Sequence, residues 1–140
     1  MGLLVSAASW LAYILGSVAV GLVYYAIFKA LPVIPDGRKI FGHPAVATIP
    51  YILLTPFFEE LIVRAYLMTE VSELTGSTAL AVAASVIVQF SYHLYYGWMG
   101  AIMVSFLFLA FALYYARSRR ALPVIIAHGA FDIYGLIRLW

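Results

Sequence analysis

Two adjacent glutamates, Glu59 and Glu60, lie inside a long apolar run, and Arg64 follows four residues after Glu60. The chain has only six side-chain carboxylates among its 140 residues, so this placement is unusual. An ionisable side chain at the centre of a bilayer costs about 2.5–3.5 kcal/mol on insertion scales. Charged groups kept at such a cost usually belong to a functional site, where a carboxylate can transfer protons or bind a metal ion.

Helical spacing gives the two glutamates different surroundings. Glu60 and Arg64 share a helix face, which predicts a structural ion pair between them. Glu59 points about 100° away around the helix, so it cannot easily share Arg64 and is left free to face a cavity. We therefore predict that Glu59 is the acid/base group and that Glu60 and Arg64 support it structurally.

Further polar residues occur in the apolar segments that follow. His93 lies near the end of one of them, and His128 and Asp132, four residues apart, share a face of another. Because unrelated inward-facing charges would be costly, we expect these groups to converge with Glu59 on one chamber. His93 lies late in its helix and His128 early in a helix that would run parallel to it, so their depths in the membrane would differ by ~10 Å at ~1.5 Å per residue. Helix tilt, or segments that end at other residues than predicted, would have to close this gap.

The elements that position these residues belong to an integral membrane protein. The chain is 66% hydrophobic and 10% charged, with a mean hydropathy of +1.03, and a soluble domain of this size could not bury so much apolar surface. A membrane-crossing helix needs roughly 20 apolar residues, so about five spans nearly exhaust the chain. The predicted fold class is all-α: one polytopic helical bundle over residues 1–140.

Apolar runs and turn signals divide the chain into five predicted helical segments. They cover residues 3–30, 45–68, 78–94, 98–116 and 121–139. The stretch 31–44, rich in Pro, Gly and charged residues, is predicted to be a polar loop, and Gly76 followed by Ser77 predicts a tight turn between two helices.

The second segment contains Pro50 and Pro56, and proline removes a helical hydrogen bond. Thr55 and Pro56 also have the residue types of an N-cap and a first helical position. We therefore predict a second segment that is broken or re-entrant near these prolines, with a helix beginning inside the membrane just before Glu59.

Composition and missing motifs exclude several function classes. The absence of cysteine excludes disulfides, thiolate metal sites and cysteine nucleophiles, and a net charge of +2 is too small to indicate a nucleic-acid partner. Neither a Gly-x-Ser-x-Gly motif nor a His-Glu-x-x-His motif is present. His43, Glu70 and Glu73 are interpreted as solvated residues without a catalytic role.

The three clusters, in this order on successive helices, resemble the CAAX protease and bacteriocin-processing (CPBP, or Abi) family of intramembrane endopeptidases. The pattern of that family is Glu-Glu-x-x-x-Arg, then Phe-x-x-x-His, then His-x-x-x-Asn or Asp. Residues 59–64 fit the first motif completely, and His93 supplies the second histidine. His128 and Asp132 fit the third motif, and residues 45–139 would form the catalytic core behind an N-terminal span.

The resemblance implies hydrolysis of a peptide bond near the membrane face, in a CAAX-type prenyl-protein or a bacteriocin-related peptide. Glu59 and His93 would activate the attacking water, and His128 with Asp132 would stabilise the oxyanion. We favour this metal-free form with no cofactor. The alternative is a divalent cation such as zinc, for which imidazole and carboxylate are ordinary ligands, and its possible metal ligands are Glu59, His93, His128 and Asp132.

Two positions depart from the family pattern. Gln89 stands where the second motif has phenylalanine, with Phe90 displaced by one residue. The third motif ends in Asp132, and an ionised carboxylate cannot donate a hydrogen bond to an oxyanion. Asp132 would therefore stay protonated, orient His128 as an acceptor, or bind a metal.

The residues alone are also compatible with a function of another class. The chain could be a non-catalytic membrane binding or immunity protein that sequesters a peptide or partner. The expected partners are the lipid bilayer and a membrane-associated peptide or prenylated protein. A homodimer could complete the cavity wall, since five spans are few, and the resemblance implies a prokaryotic cell membrane as the location.

Overall fold

The computed structural model describes residues 2–32, 46 and 49–139, and these residues are almost entirely helical. The α-helices in this part of the chain are α1 (Gly2–Phe28), α2 (Ile49–Glu60), α3 (Met68–Thr75), α4 (Thr78–Tyr92), α5 (Gly97–Ser118) and α6 (Leu122–Leu139). A π-helical segment, Leu61–Leu67, joins α2 to α3 without a break, and a 3-10 turn, Leu94–Tyr96, joins α4 to α5. The five predicted helical segments are therefore confirmed.

Some predictions concern residues that the structure does not describe. Nearly all of the predicted polar loop 31–44, including His43, lies outside the described residues, and so does the predicted start of the second segment at Ala45. Glu70 and Glu73, which were interpreted as solvated residues, are both exposed on α3.

The helices expose apolar side chains on a scale that suits lipid. Leu3–Phe28 and Leu94–Ser118 are long and apolar enough to cross a membrane, and Thr78–Tyr92 is a shorter apolar helix. Only 6% of the apolar window of α1 is buried within the bundle. Apolar surface of this extent is costly in water but not in hydrocarbon, so the described residues form the predicted helical membrane bundle.

The described second segment is not broken at Pro56, so the predicted helix start just before Glu59 is wrong. α2 begins just before Pro50 and continues through Pro56, which is buried. Thr55 does not cap a new helix, because its Oγ1 donates to the Tyr51 carbonyl one turn back at 2.9 Å. The helix tolerates the missing proline N–H here, and its departure from α-helical geometry comes later, in Leu61–Leu67.

The π-helical segment keeps one face of the second segment buried. A row of buried residues recurs at every fourth position: Pro56, Glu60, Arg64 and Met68. In an α-helix such a row drifts around the axis by about 40° at each step, because four residues exceed one turn of 3.6. A π-helix has more residues per turn, so Leu61–Leu67 offsets part of this drift. Glu60, Arg64 and Met68 consequently all face the bundle interior.

The turn between α3 and α4 forms as predicted. Gly76 closes α3 in the left-handed conformation, with φ of 65°, and the Ser77 side chain accepts a hydrogen bond from the Leu80 N–H at 3.3 Å. These are the usual C-cap and N-cap arrangements. The second segment therefore ends at Thr75, about two turns beyond the predicted end at Met68.

α5 is the central helix of the described residues and packs against α1 and α4, whereas α6 packs against α1 and α2. The α3 helix and the π-helical segment pack against α4. One buried apolar cluster joins α1, α5 and α6, and it consists of Val5, Leu107, Phe108, Phe111, Val124 and Ala127. This packing surrounds the polar residues of the second segment with helices.

The contact between α1 and α5 depends on a glycine. A Cβ added at Gly16 would fall within the Phe106 ring, whereas one added at Gly21 on the same helix would meet nothing within 4 Å. We expect Gly16→Ala to destabilise the bundle by about 1–3 kcal/mol through overpacking. Thermal unfolding in detergent measures the effect, with Gly21→Ala as the matched control. Equal melting temperatures for the two variants would contradict this packing.

Candidate active site

A buried ion pair lies at the centre of the site. Arg64 Nε is 3.1 Å from Glu60 Oε2, and both side chains are fully buried. Arg64 Nη2 also donates to the Phe108 carbonyl at 3.2 Å, and its guanidinium lies 5.5 Å from the Phe108 ring and 6.0 Å from the Phe111 ring. Buried charges need such partners to offset their lost hydration. The ion pair predicted from the four-residue spacing is present.

The second oxygen of Glu60 holds His128. Glu60 Oε1 is 2.8 Å from His128 Nδ1, and because a carboxylate paired with arginine can only accept, Nδ1 carries a proton. His128 Nε2 is 3.7 Å from Asp132 Oδ1, which is longer than a hydrogen bond but within the range of an ion pair. The row from Arg64 through Glu60 and His128 to Asp132 thus connects the second segment to α6. Sequence reasoning paired Glu60 with Arg64 alone.

His93 is fixed at the C-terminus of α4. Its Nδ1 is 2.8 Å from the Gln89 carbonyl, one turn back. A carbonyl oxygen can only accept, so Nδ1 donates and Nε2 keeps a free lone pair. His93 is therefore held in the tautomer whose Nε2 can accept a proton.

Both histidines and Asp132 line one cavity of about 300 Å³. Its wall includes Trp10 and Tyr13 of α1, which sequence reasoning did not select. Each imidazole ring also packs against Phe108 midway along α5, with centroid distances of 4.7 Å for His93 and 5.5 Å for His128. The depth difference expected from the sequence therefore does not place the two histidines in separate chambers.

Glu59 is half-buried and is not part of the lining of this cavity, so the described structure does not show the expected convergence of Glu59 with the histidines on one chamber. Its Oε2 accepts a hydrogen bond from the Tyr92 hydroxyl at 2.7 Å, and the Tyr92 ring packs against His93 with centroids 4.6 Å apart. Tyr92 therefore links Glu59 to the histidines. Sequence reasoning missed Tyr92, although its position next to His93 was a usable signal.

The four residues that could bind a metal ion do not form one cluster in the described part of the chain. Among the described residues, no three or more His, Cys, Asp or Glu side chains gather so as to hold a metal ion. His93 and His128 each engage Nδ1 and leave Nε2 open, and Glu59 accepts a hydrogen bond from Tyr92. The four proposed donors are not gathered around one cation position in this arrangement, and no chemical step is derived through a metal ion.

The family model described as "Type II CAAX prenyl endopeptidase Rce1-like" matches residues 41–134, about two thirds of the chain. The matched range contains all three motifs and excludes α1. No curated protein and no solved structure matches the chain significantly.

The buried ion pair makes a clear prediction for stability. Arg64→Met would leave the Glu60 carboxylate buried without its cation, and we expect a loss of about 3–5 kcal/mol. The double variant Glu60→Gln/Arg64→Met removes both charges and keeps an acceptor for His128, so most of the stability should return. Melting temperatures in detergent measure this, with the exposed Arg117→Met as control. An Arg64→Met variant with the same melting temperature as the parent would contradict the pairing.

Proposed function

The chain belongs to the Rce1-like family of type II CAAX prenyl endopeptidases, a family of intramembrane proteases, and on that premise we propose that it hydrolyses a peptide bond by glutamate- and histidine-activated water. The observation that carries the proposal is the lone pair on His93 Nε2, fixed by the Nδ1 contact with the Gln89 carbonyl, in a cavity shared with His128. A fixed base facing a second fixed imidazole is suited to the addition of water to a carbonyl.

Water activation falls to Glu59 and His93 in this proposal. The water lies between the Glu59 carboxylate and His93 Nε2, which together remove its proton as its oxygen attacks the peptide carbonyl. The proton is then delivered to the leaving amine as the carbon–nitrogen bond breaks. The Tyr92 contact keeps Glu59 close to His93 without involving it in the Arg64 pair.

Oxyanion stabilisation falls to His128. Its Nδ1 donates to Glu60, so a donor aimed at the cavity requires a second proton on Nε2. An imidazolium there would have Glu60 on one side and Asp132 on the other, so its charge would not be buried unpaired. Of the three roles open to Asp132, we therefore favour that of orienting His128, as a counter-charge at 3.7 Å that leaves the Nε2 proton for the oxyanion.

The substrate is proposed to be a membrane-associated peptide, of the CAAX prenyl-protein type or related to bacteriocins, in a prokaryotic cell membrane. The aromatic cavity wall, including Trp10, Tyr13 and Phe131, suits the apolar residues of a CAAX terminus. The apolar outer surface of α1 and α5 keeps the site within reach of a lipid-anchored chain.

The first test removes the proposed base. Glu59→Gln keeps the size of the side chain and an acceptor for Tyr92, but it cannot take a proton from water. We expect kcat to fall by at least about 100-fold for an internally quenched farnesylated peptide ending in a CAAX sequence, with the protein still folded. The matched control is the exposed Glu73→Gln, which should cleave like the parent. Unchanged cleavage by Glu59→Gln would end the proposal, and peptide binding without cleavage by the parent would favour a binding protein.

The second test concerns metal dependence. Since the described donors do not gather into a cation site, we expect peptide cleavage by the purified protein to persist after prolonged treatment with EDTA or 1,10-phenanthroline. Elemental analysis of the same sample by mass spectrometry provides the control for residual metal. Loss of cleavage that zinc restores would show that the metal-free mechanism is wrong.

A further inference from the structure

The Tyr92 hydroxyl lies between two oxygen atoms. It is 2.7 Å from Glu59 Oε2, and it also makes a short contact with Gln89 Oε1. A tyrosine hydroxyl has one hydrogen, so it cannot donate to both oxygens at once. In one of the two contacts, the Tyr92 oxygen must therefore be the acceptor.

The burial of Gln89 indicates which contact is reversed. Its side chain is fully buried, and its Nε2 has no hydrogen-bond partner among the described residues. A 180° rotation of the amide exchanges its oxygen and nitrogen without moving any other atom. The Gln89 amide then donates to the Tyr92 oxygen, and Tyr92 gives its only hydrogen to Glu59. This orientation gives the buried Gln89 N–H a partner and removes the competition of two oxygens for one hydrogen, so we adopt it.

We infer that Gln89, Tyr92 and Glu59 form a hydrogen-bond relay in which Gln89 and Tyr92 are positioning residues for the Glu59 carboxylate. The inference rests on the proposed function, in which Glu59 activates water. It assigns a role to the position where the family motif has phenylalanine, a residue that can neither donate nor accept. In this chain the buried amide orients Tyr92, and Tyr92 orients Glu59.

Glu59 depends on such a relay because of its place in the helix. It is the second-last residue of α2 and is half-buried, and the neighbouring Arg64 is already engaged by Glu60 and the Phe108 carbonyl. A glutamate side chain has several rotamers, and fixing the reactive one before the substrate binds lowers the barrier to reaction. The contact between the Tyr92 and His93 rings places the fixed carboxylate beside the other base.

The primary test is Tyr92→Phe, which removes the hydroxyl and retains the ring that packs on His93. With the farnesylated CAAX peptide we expect kcat to fall by about 10- to 100-fold while KM stays within about twofold, because the reactive carboxylate is misplaced and the substrate still binds. The matched control is Tyr66→Phe, in which the hydroxyl lost is on an exposed side chain. Melting temperatures of both variants exclude a folding defect as the cause.

The second variant tests whether the two residues act in series. Gln89→Met keeps the buried volume but removes the amide, and it should lower kcat by less than Tyr92→Phe does. In a relay, Gln89 acts through Tyr92, so the double variant should lose no more activity than Tyr92→Phe alone. If the two substitutions acted through independent packing effects, their fold losses in kcat would instead multiply in the double variant.

The outcomes separate this inference from the proposed function. If the parent cleaves the peptide and Tyr92→Phe matches it in kcat, the relay is wrong and the protease proposal stands. A rise in KM or a lower melting temperature that accounts for the whole loss, or multiplicative losses in the double variant, would also overturn the relay. If the parent cleaves the peptide and Glu59→Gln cleaves it equally fast, the proposed role of Glu59 fails, and the relay fails with it.

Discussion

The buried ion pair between Glu60 and Arg64 is the constraint on which the rest of the site depends. Neither charge could remain in an apolar bundle without the other, and together they attach to two further elements of the fold. Arg64 binds the Phe108 carbonyl of α5, and Glu60 binds His128 of α6. The π-helical segment Leu61–Leu67 makes this possible, since it keeps both charged residues on the interior face of the second segment. The π-helical segment thus helps to set, through Glu60, the position of the His128 imidazole on α6.

The same pair explains the division of roles between the adjacent glutamates. Glu60 is held by Arg64 at one oxygen and by His128 at the other, which suits a structural group. Glu59 faces away from that pair, and its carboxylate meets the Tyr92 hydroxyl beside His93. The proposed acid/base role therefore goes to Glu59, the carboxylate that is not held in the Arg64 pair.

The sequence was sufficient for features that depend on local spacing. Five helical segments, the turn at Gly76 and the pairing of Glu60 with Arg64 all follow from residues within one or two turns of each other. The predicted break at Pro56 was wrong, because surrounding helices can compensate for a lost helical hydrogen bond. Contacts between distant residues, such as Glu60 with His128 and Tyr92 with Glu59, left no periodic signal in the sequence. The family resemblance identified Glu59, Glu60 and His128, but not Tyr92.

The central claim is that Glu59 activates water and does not itself attack the peptide. A single-turnover cleavage of the farnesylated peptide in water enriched in oxygen-18 tests this directly. Mass spectrometry would then locate the label in the product and in the enzyme fragment that contains Glu59. The account predicts one labelled oxygen in the newly formed peptide carboxylate and none in the Glu59 side chain. Label in Glu59, with an unlabelled product, would indicate an acyl-enzyme anhydride and would contradict the account.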